Sequence, residues 1–221
     1  RNIYADKAIL VFVLAYFFYI DGVNTVIHMA TVYGSTLGLG TTGMILALLV
    51  TQIVAVPFSI LFSSLAGRVG SIRMIRIAIV VYLVICATGF YMGYSLERVA
   101  PESPLYAAAL QRSTYLFWAM AALVGTCQGG IQALSRSFFG KLIPPKRSNE
   151  FFGFFDIFGK FAAVMGPAIY ALIAKWTGRS SYGILGLVIL FGCGLLTLYL
   201  GRRQLARAEA KGAEAARQAG A

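Results

Sequence analysis

Charged side chains are scarce in this sequence. Asp and Glu together supply only 8 of the 221 residues, and all charged residues make up 12% of the chain. Soluble globular proteins carry about 25% charged residues. Hydrophobic residues, by contrast, account for 59% of this sequence. This balance excludes a soluble domain and predicts an integral membrane protein.

Cysteine and histidine are also rare, with three cysteines and one histidine in the chain. Cys86, Cys127 and Cys193 all lie inside apolar runs without paired spacing, so they indicate neither a disulfide framework nor a metal site. The sequence contains no nucleophile–base set, phosphate-binding loop or metal-ligand motif. It therefore predicts a protein that is not an enzyme, with no catalytic residue, no metal and no cofactor.

Long apolar runs are abundant, and each is long enough to cross a bilayer as a helix, which takes about 20 residues. Six runs cover about residues 8–33, 42–66, 74–95, 113–135, 151–175 and 181–200. We therefore expect an all-α membrane protein with a six-helix transmembrane domain at residues 1–200. Residues 201–221 lack an apolar face, which predicts a basic, solvated cytoplasmic tail.

The positive charges follow a pattern along the chain. Basic residues occupy the second-to-third loop (Arg68, Arg73), the fourth-to-fifth loop (Arg136, Lys141) and the tail, whereas the first loop has no charge. Positive loops face the cytoplasm in membrane proteins, so we expect both termini to be cytoplasmic. Orientation accounts for the net charge of +11, and we expect no nucleic-acid partner.

A polar stripe interrupts the first apolar run. Asp21, Asn24, Thr25 and His28 are spaced i, i+3, i+4 and i+7, so they share one helix face. Asp21 lies about 20 Å from the start of the run, at about 1.5 Å per residue, which places it well inside the bilayer. An acid at that depth is a functional candidate that faces a cavity or other helices. The alternative is that neighbouring backbone satisfies Asp21 and its role is packing alone.

Polar residues also mark the fourth and fifth runs. Gln128 and Gln132 lie one turn apart on the fourth run, and packing alone does not explain them. Asp156 and Lys160 lie at i, i+4 on the fifth run, where they predict either a local ion pair that offsets its own burial or a gating pair.

The six runs contain one three-helix pattern that occurs twice, in runs one to three and again in runs four to six. Polar stripes occur on the first and fourth runs, prolines interrupt the second and fifth runs at Pro57 and Pro167, and the third and sixth are nearly bare of polar residues. Inverted three-helix repeats of this kind are typical of secondary transporters, whose substrate sites lie near the midplane.

Three segments carry a resemblance to a known family. The segments YIDGVNT (residues 19–25) and QGGIQALSRS (residues 128–137), together with EFFG (residues 150–153), resemble motifs of the autophagy-linked vacuole effluxer family and its bacterial relatives. All of them belong to the C-terminal half of that family. The resemblance implies one half of a major facilitator fold, with the first and fourth helices lining the central cavity and the second and fifth facing the other half. It also implies the export of amino acids.

One loop departs from the facilitator pattern. The loop LAGRVG (residues 65–70) is similar to the facilitator loop that follows the second helix of a half, but Gly67 stands where an acidic residue is usual. The resemblance therefore does not extend to the charge-relay latch of that loop.

Together these features predict a multi-pass protein of the bacterial inner (plasma) membrane. We expect it to move a small, amino-acid-like solute by alternating access, coupled to an ion gradient. Its partners would be the solute, the lipid bilayer, and either an N-terminal six-helix half or a second copy of this chain. The alternative is a non-transporting membrane scaffold or oligomeric pore. The predicted substrate- or proton-binding residues are Asp21, Asn24, Thr25, His28, Gln128 and Gln132.

Overall fold

The computed structural model describes residues 7–144 and 147–219, and all the elements in these ranges are helices. Residues 1–6 and 145–146, and the last two residues of the predicted tail, lie outside the described residues. The helices are α1 (Lys7–Thr36), α2 (Thr41–Val69), α3 (Ser71–Leu96), α4 (Leu105–Leu142), α5 (Ser148–Thr177), α6 (Ser180–Leu200) and α7 (Arg202–Ala219).

Five of the six long helices, α1, α2, α3, α5 and α6, are long and apolar enough to cross a membrane by length and composition. The remaining one, α4, is the longest at 38 residues, or about 57 Å at 1.5 Å per residue. It carries Gln128 and Gln132, which lower its hydrophobicity. The helix also extends beyond its apolar run at both ends, so Arg136 and Lys141 belong to α4 rather than to a loop.

The six long helices pack as two interlocked repeats, α1–α3 and α4–α6. The first helix of each repeat packs mainly against the second and third helices of the other: α1 against α5 and α6, and α4 against α2 and α3. The third helices, α3 and α6, pack against each other. This exchange confirms the predicted pair of inverted three-helix repeats, and the architecture is that of one half of a major facilitator fold.

The contact between α2 and α4 depends on small residues. A Cβ atom at Gly125 would lie 2.6 Å from the carbonyl oxygen of Thr51, so only glycine allows the two backbones this close. The Thr51 hydroxyl donates a hydrogen bond to the carbonyl of Ala121, at 3.0 Å. Small residues are what lets membrane helices approach closely. Gly125 and Ala121 of α4 therefore serve the packing of α4 against α2 inside the bundle.

Two glutamates cap helices of the opposite repeat. Glu97, which follows α3, accepts hydrogen bonds from the backbone N–H of Ser181, at 3.1 Å, and from its hydroxyl, at 2.5 Å, near the start of α6. Glu209 of α7, which follows α6, accepts a bond from the N–H of Ser71 at the start of α3, at 2.8 Å. A carboxylate is favourable at a helix N-terminus because the first N–H groups lack helical partners.

The second of these caps corrects the expectation of a wholly solvated tail. α7 lies against α4, α1 and α6, and the side chain of Leu205 is fully buried. Glu209 meets the α2–α3 connection at Gly70, whose φ of 99° is a backbone angle that favours glycine. We call this end of the bundle, where α1 begins and α6 ends, the tail end, and the other the far end.

The outward faces of α2 and α5 are apolar and uncovered. In the most apolar 18-residue stretch of each of these helices only 17% is buried inside the bundle, against 61% for the corresponding stretch of α1. Large side chains such as Ile53 and Val56 on α2, and Phe161 and Val164 on α5, are about 70% exposed. These two faces therefore require lipid or another protein surface.

Candidate functional site

A polar cavity of about 340 Å³ lies between α1, α4 and α5, in the half of the bundle nearer the tail end. Small-molecule sites in proteins have volumes of about 300–1,000 Å³, so the cavity suits a small solute. Three of its lining side chains are charged, in a chain with few charges. The lining residues are Tyr16, Ile20, Asn24, Gln132, Arg136, Asp156, Gly159 and Lys160.

Arg136 of α4 and Asp156 of α5 form an ion pair at this cavity. The guanidinium Nη2 of Arg136 lies 3.2 Å from Oδ1 of Asp156 and 3.4 Å from its Oδ2. Both side chains remain about half exposed, at 58% and 46%. Solvent screens such a pair, which contributes at most about 1 kcal/mol to stability. The pair therefore places charge beside the cavity without fastening α4 firmly to α5.

The predicted ion pair between Asp156 and Lys160 is not the one that the structure forms. Both residues line the polar cavity, but the partner of Asp156 is Arg136, on the facing helix. The Lys160 side chain is exposed and has no ion pair with any residue that the structure describes. The i, i+4 pattern of one helix shows possible partners on that helix only, and so it could not show Arg136.

An aromatic cluster lies between the polar cavity and the tail end. Tyr16 stacks on Phe155 with ring centroids 3.9 Å apart, and Phe155 stacks on Phe139 at 4.4 Å. Phe152 meets Phe139 edge-on at 5.5 Å, which joins α4 to α5. The cluster comprises Phe12, Tyr16, Phe138, Phe139, Phe152 and Phe155. It packs the space on the tail side of the charged residues.

Asp21 lies away from the polar cavity, in the contact between α1 and α5. Its side chain is fully buried, and Oδ1 accepts a hydrogen bond from the N–H of Gly166, at 2.7 Å. Its Oδ2 is buried without a hydrogen-bond partner among the described residues. Thr25, also fully buried, donates its hydroxyl to the backbone oxygen of Asp21, at 2.7 Å. The acid of α1 thus contacts α5 next to Pro167, the proline inside that helix.

A second cavity of about 150 Å³ lies toward the far end and is lined mostly by apolar side chains from all six long helices. Thr25 and Gln128 are among its few polar lining residues, together with Thr51 and Gln52. The Oε1 atom of Gln128 is buried and has no hydrogen-bond partner among the described residues. We call this space the apolar cavity.

The predicted site residues therefore lie in four places. Asn24, Gln132, Asp156 and Lys160 share the polar cavity, and Thr25 and Gln128 line the apolar cavity. Asp21 is buried against α5, and His28 is exposed on the surface of α1. In the part of the chain that the structure describes, no group of three or more His, Cys, Asp or Glu side chains is placed to hold a metal ion.

Sequence reasoning missed Arg136 as a cavity residue because it treated that position as part of a basic loop. The signal was present in the spacing: Gln128, Gln132 and Arg136 lie at successive i, i+4 positions, so one stripe of α4 continues into the arginine. The sequence likewise gives no signal that Asp21 of α1 pairs with the N–H of Gly166 in α5.

Comparison with known proteins identifies the family. A profile described as "Vacuole effluxer Atg22 like" matches residues 1–211, which include all six long helices and both cavities. The chain belongs to the Atg22-like vacuole effluxer family. The family that the sequence motifs suggested is thereby confirmed.

Individual relatives of this Atg22-like chain come from bacteria and fungi. It is 46% identical over 198 residues to an uncharacterised MFS-type transporter, YxiO, of Bacillus subtilis strain 168, covering 90% of this chain and 42% of the relative. It is 28% identical to autophagy-related protein 22 of Cryptococcus neoformans strain JEC21, covering 86% of this chain and 33% of the relative. The chain thus spans less than half the length of these relatives. No solved structure matches it.

Proposed function

We propose that this Atg22-like chain forms the solute-binding half of a secondary transporter that exports a small, amino-acid-like solute by alternating access. The observation that carries the proposal is the partly exposed, charged cavity between α1, α4 and α5, within an otherwise apolar bundle. Inverted repeats with substrate sites near the midplane are the common plan of secondary transporters. The aromatic cluster on the tail side of the cavity supports the proposal, because alternating access requires a packed barrier on one side of the site.

In this proposal the neutral polar residues contact the solute. Asn24 and Gln132 supply hydrogen bonds in the polar cavity, and each such bond contributes about 1 kcal/mol net. Gln128 supplies a further polar contact in the apolar cavity, where its oxygen has no partner among the described residues. His28, on the exposed surface of α1, remains a candidate proton relay and has no assigned solute contact.

Asp21 is our candidate for coupling to an ion gradient. A fully buried carboxylate with one unpartnered oxygen is costly to keep charged, so proton binding there has a direct energetic effect. Its hydrogen bond to Gly166 places that effect beside the proline-containing part of α5. Protonation would therefore change how firmly α1 holds α5, and Thr25 would assist by fixing the backbone oxygen of Asp21.

The uncovered faces of α2 and α5 suggest the partner surface. Because the chain spans less than half the length of its relatives, we propose that a further six-helix half, or a second copy of this chain, covers these faces. The loop charges support an orientation with both termini in the cytoplasm. A relative in Bacillus subtilis supports the bacterial plasma membrane as the location, as a proposal for this chain.

The direct test is flux through proteoliposomes that contain the intact protein. We expect at least one of the twenty common amino acids, supplied as a radiolabelled panel, to accumulate against its gradient when a pH difference is imposed. Protein-free liposomes are the control. An absence of flux for the whole panel would refute the proposal, and an unselective ion conductance without accumulation would favour a pore.

A further inference from the structure

We propose that the polar cavity recognises the carboxylate of its solute, with Lys160 and the unused donors of Arg136 as the binding groups. This inference rests on the proposed function and deepens it, since it assigns the charged end of the solute to named side chains. It concerns the charged residues of the cavity, which the proposed function leaves without a role toward the solute.

The first argument is the charge of the cavity. Two basic side chains, Arg136 and Lys160, face it together with one acidic side chain, Asp156. The cavity therefore carries one net positive charge, which favours the binding of an anionic group such as a carboxylate. A phosphate group carries about −1.5 to −2 charges at neutral pH and would leave the cavity with net negative charge.

The second argument is the number of free donors. An arginine has five N–H donors, and among the described residues the hydrogen bond of Arg136 uses Nη2 alone, toward Asp156. Lys160 has three donors, and the structure shows no hydrogen bond or ion pair for it with any described residue. Charge-assisted hydrogen bonds to a carboxylate are roughly twice as strong as neutral ones. These donors are therefore available for a bound anion.

The third argument is the arrangement around the donors. Asp156 holds the guanidinium of Arg136 at the cavity wall, so the arginine is positioned before a solute arrives. Lys160 lies one turn after Asp156 on the same face of α5. The residue between them at the cavity wall is Gly159, and a Cβ atom built on Gly159 would lie only 3.2 Å from the hydroxyl oxygen of Tyr16. Glycine at that position lets the Tyr16 hydroxyl of α1 lie close against α5, beside the cavity. The carboxylate of Asp156 also offers a place for a solute amine.

The test compares three forms of two amino acids, alanine and phenylalanine: the free acid, the methyl ester, which lacks the carboxylate, and the N-acetyl derivative, which lacks the amine. Each competes for binding of the best-transported labelled amino acid to the intact protein. We expect the N-acetyl form to compete better than the ester, and the ester to be at least about ten-fold weaker than the acid. Esters that compete as well as the acids would overturn the inference.

Variants assign the effect to the side chain. We expect Lys160→Gln to weaken competition by the acids about ten-fold and to abolish their advantage over the esters. Lys160→Arg, which keeps the charge, should retain that advantage. Lys175→Gln is the matched control, because Lys175 is an exposed lysine of α5 outside the polar cavity. A purely structural role for Lys160 would lower binding of acids and esters alike and would overturn the assignment.

The outcomes separate this inference from the function on which it rests. Flux of an amino acid with equal competition by acid and ester supports transport and refutes carboxylate recognition. An absence of flux for all twenty amino acids refutes both. Inorganic phosphate and acetate serve as further competitors: stronger competition by phosphate than by acetate would refute the preference for a singly charged group.

Discussion

The carboxylate of Asp21 and the backbone N–H of Gly166 are joined by a 2.7 Å hydrogen bond between α1 and α5, although the two residues lie 145 positions apart in the chain. The contact is possible only because Gly166 has no side chain. A Cβ atom there would clash with the hydroxyl of Thr25 and would lie 2.6 Å from Oδ1 of Asp21. The single acid buried in α1 and the missing side chain in α5 therefore form one structural unit.

Gly166→Ala tests that unit. We expect the variant to lose about 1–3 kcal/mol of stability, the usual cost of an overpacked site, measured as a lower thermal-unfolding midpoint in detergent. Gly153→Ala on the same helix is the control, because nothing lies within 4 Å of a Cβ built there. Its stability should be unchanged or slightly raised, since alanine is the better helix former. Equal effects of the two variants would contradict the close contact.

Asp21→Asn separates folding from coupling. The substitution keeps the size and the acceptor for the Gly166 N–H but removes the proton-binding carboxylate. We expect the variant to insert and fold, to lose pH-gradient-driven accumulation, and to keep solute exchange at equal pH on both sides. Vesicles with and without an imposed gradient measure the two activities. Unchanged accumulation would leave Asp21 as a packing residue.

A double-mutant cycle distinguishes the two candidate partners of Asp156. Because the Arg136–Asp156 pair is about half exposed, we expect a coupling energy of about 0.2–1 kcal/mol from unfolding of Arg136→Gln, Asp156→Asn and the double variant. The same cycle with Lys160→Gln should give a smaller coupling. A larger coupling to Lys160 would restore the pairing within α5 that the i, i+4 spacing suggested.

The tail helix provides a fourth prediction. Glu209→Ala removes the carboxylate that accepts the Ser71 N–H, and we expect it to cost about 1 kcal/mol of stability. The loss should also make α7 more sensitive to limited proteolysis, because the cap is one of its attachments. Glu102→Ala, at an exposed position between α3 and α4, is the matched control. Equal protease sensitivity of the two variants would show that Leu205 and its neighbours hold α7 without the cap.

Cysteine labelling tests the orientation. Asn149 near the start of α5 and Glu102 at the opposite end of the bundle are both exposed. In sealed cells we expect an impermeant thiol reagent to label a cysteine replacing Glu102 and not one replacing Asn149. The reverse pattern would place both termini outside. Replacing Cys193, the half-buried natural cysteine, with alanine lowers the background.

The sequence predicted the helical fold well because hydrophobicity is a local signal. The six apolar runs and the repeated pattern follow from the order of apolar and polar residues along the chain. Hydrophobicity shows which segments lie in lipid or in the protein interior, but it does not show where a helix ends. Arg136 was therefore assigned to a loop, although α4 continues to Leu142. In the same way, a single buried leucine, Leu205, leaves no periodic trace in an otherwise polar tail.

The candidate site was predictable only in part for a related reason. A polar stripe shows which residues share a face of one helix, but not which helix that face meets. Asn24 and Asp21 belong to the same predicted stripe, yet one lines the polar cavity and the other contacts the α5 backbone. Residues three positions apart point about 60° apart around a helix, so they can meet different neighbours, and only the tertiary arrangement decides which.

The reciprocal glutamate caps have a consequence for biosynthesis. The ribosome synthesises α3 long before it reaches residue 209. The N–H of Ser71 therefore has no access to its acceptor, the carboxylate of Glu209, until α7 has been made. Glu97, in contrast, is already present when Ser181 emerges. The far end of the α3–α6 pair can therefore close during synthesis, whereas the tail end closes last. A chain that ends before residue 209 would contain all six long helices, but the N–H of Ser71 at the start of α3 would lack its carboxylate acceptor.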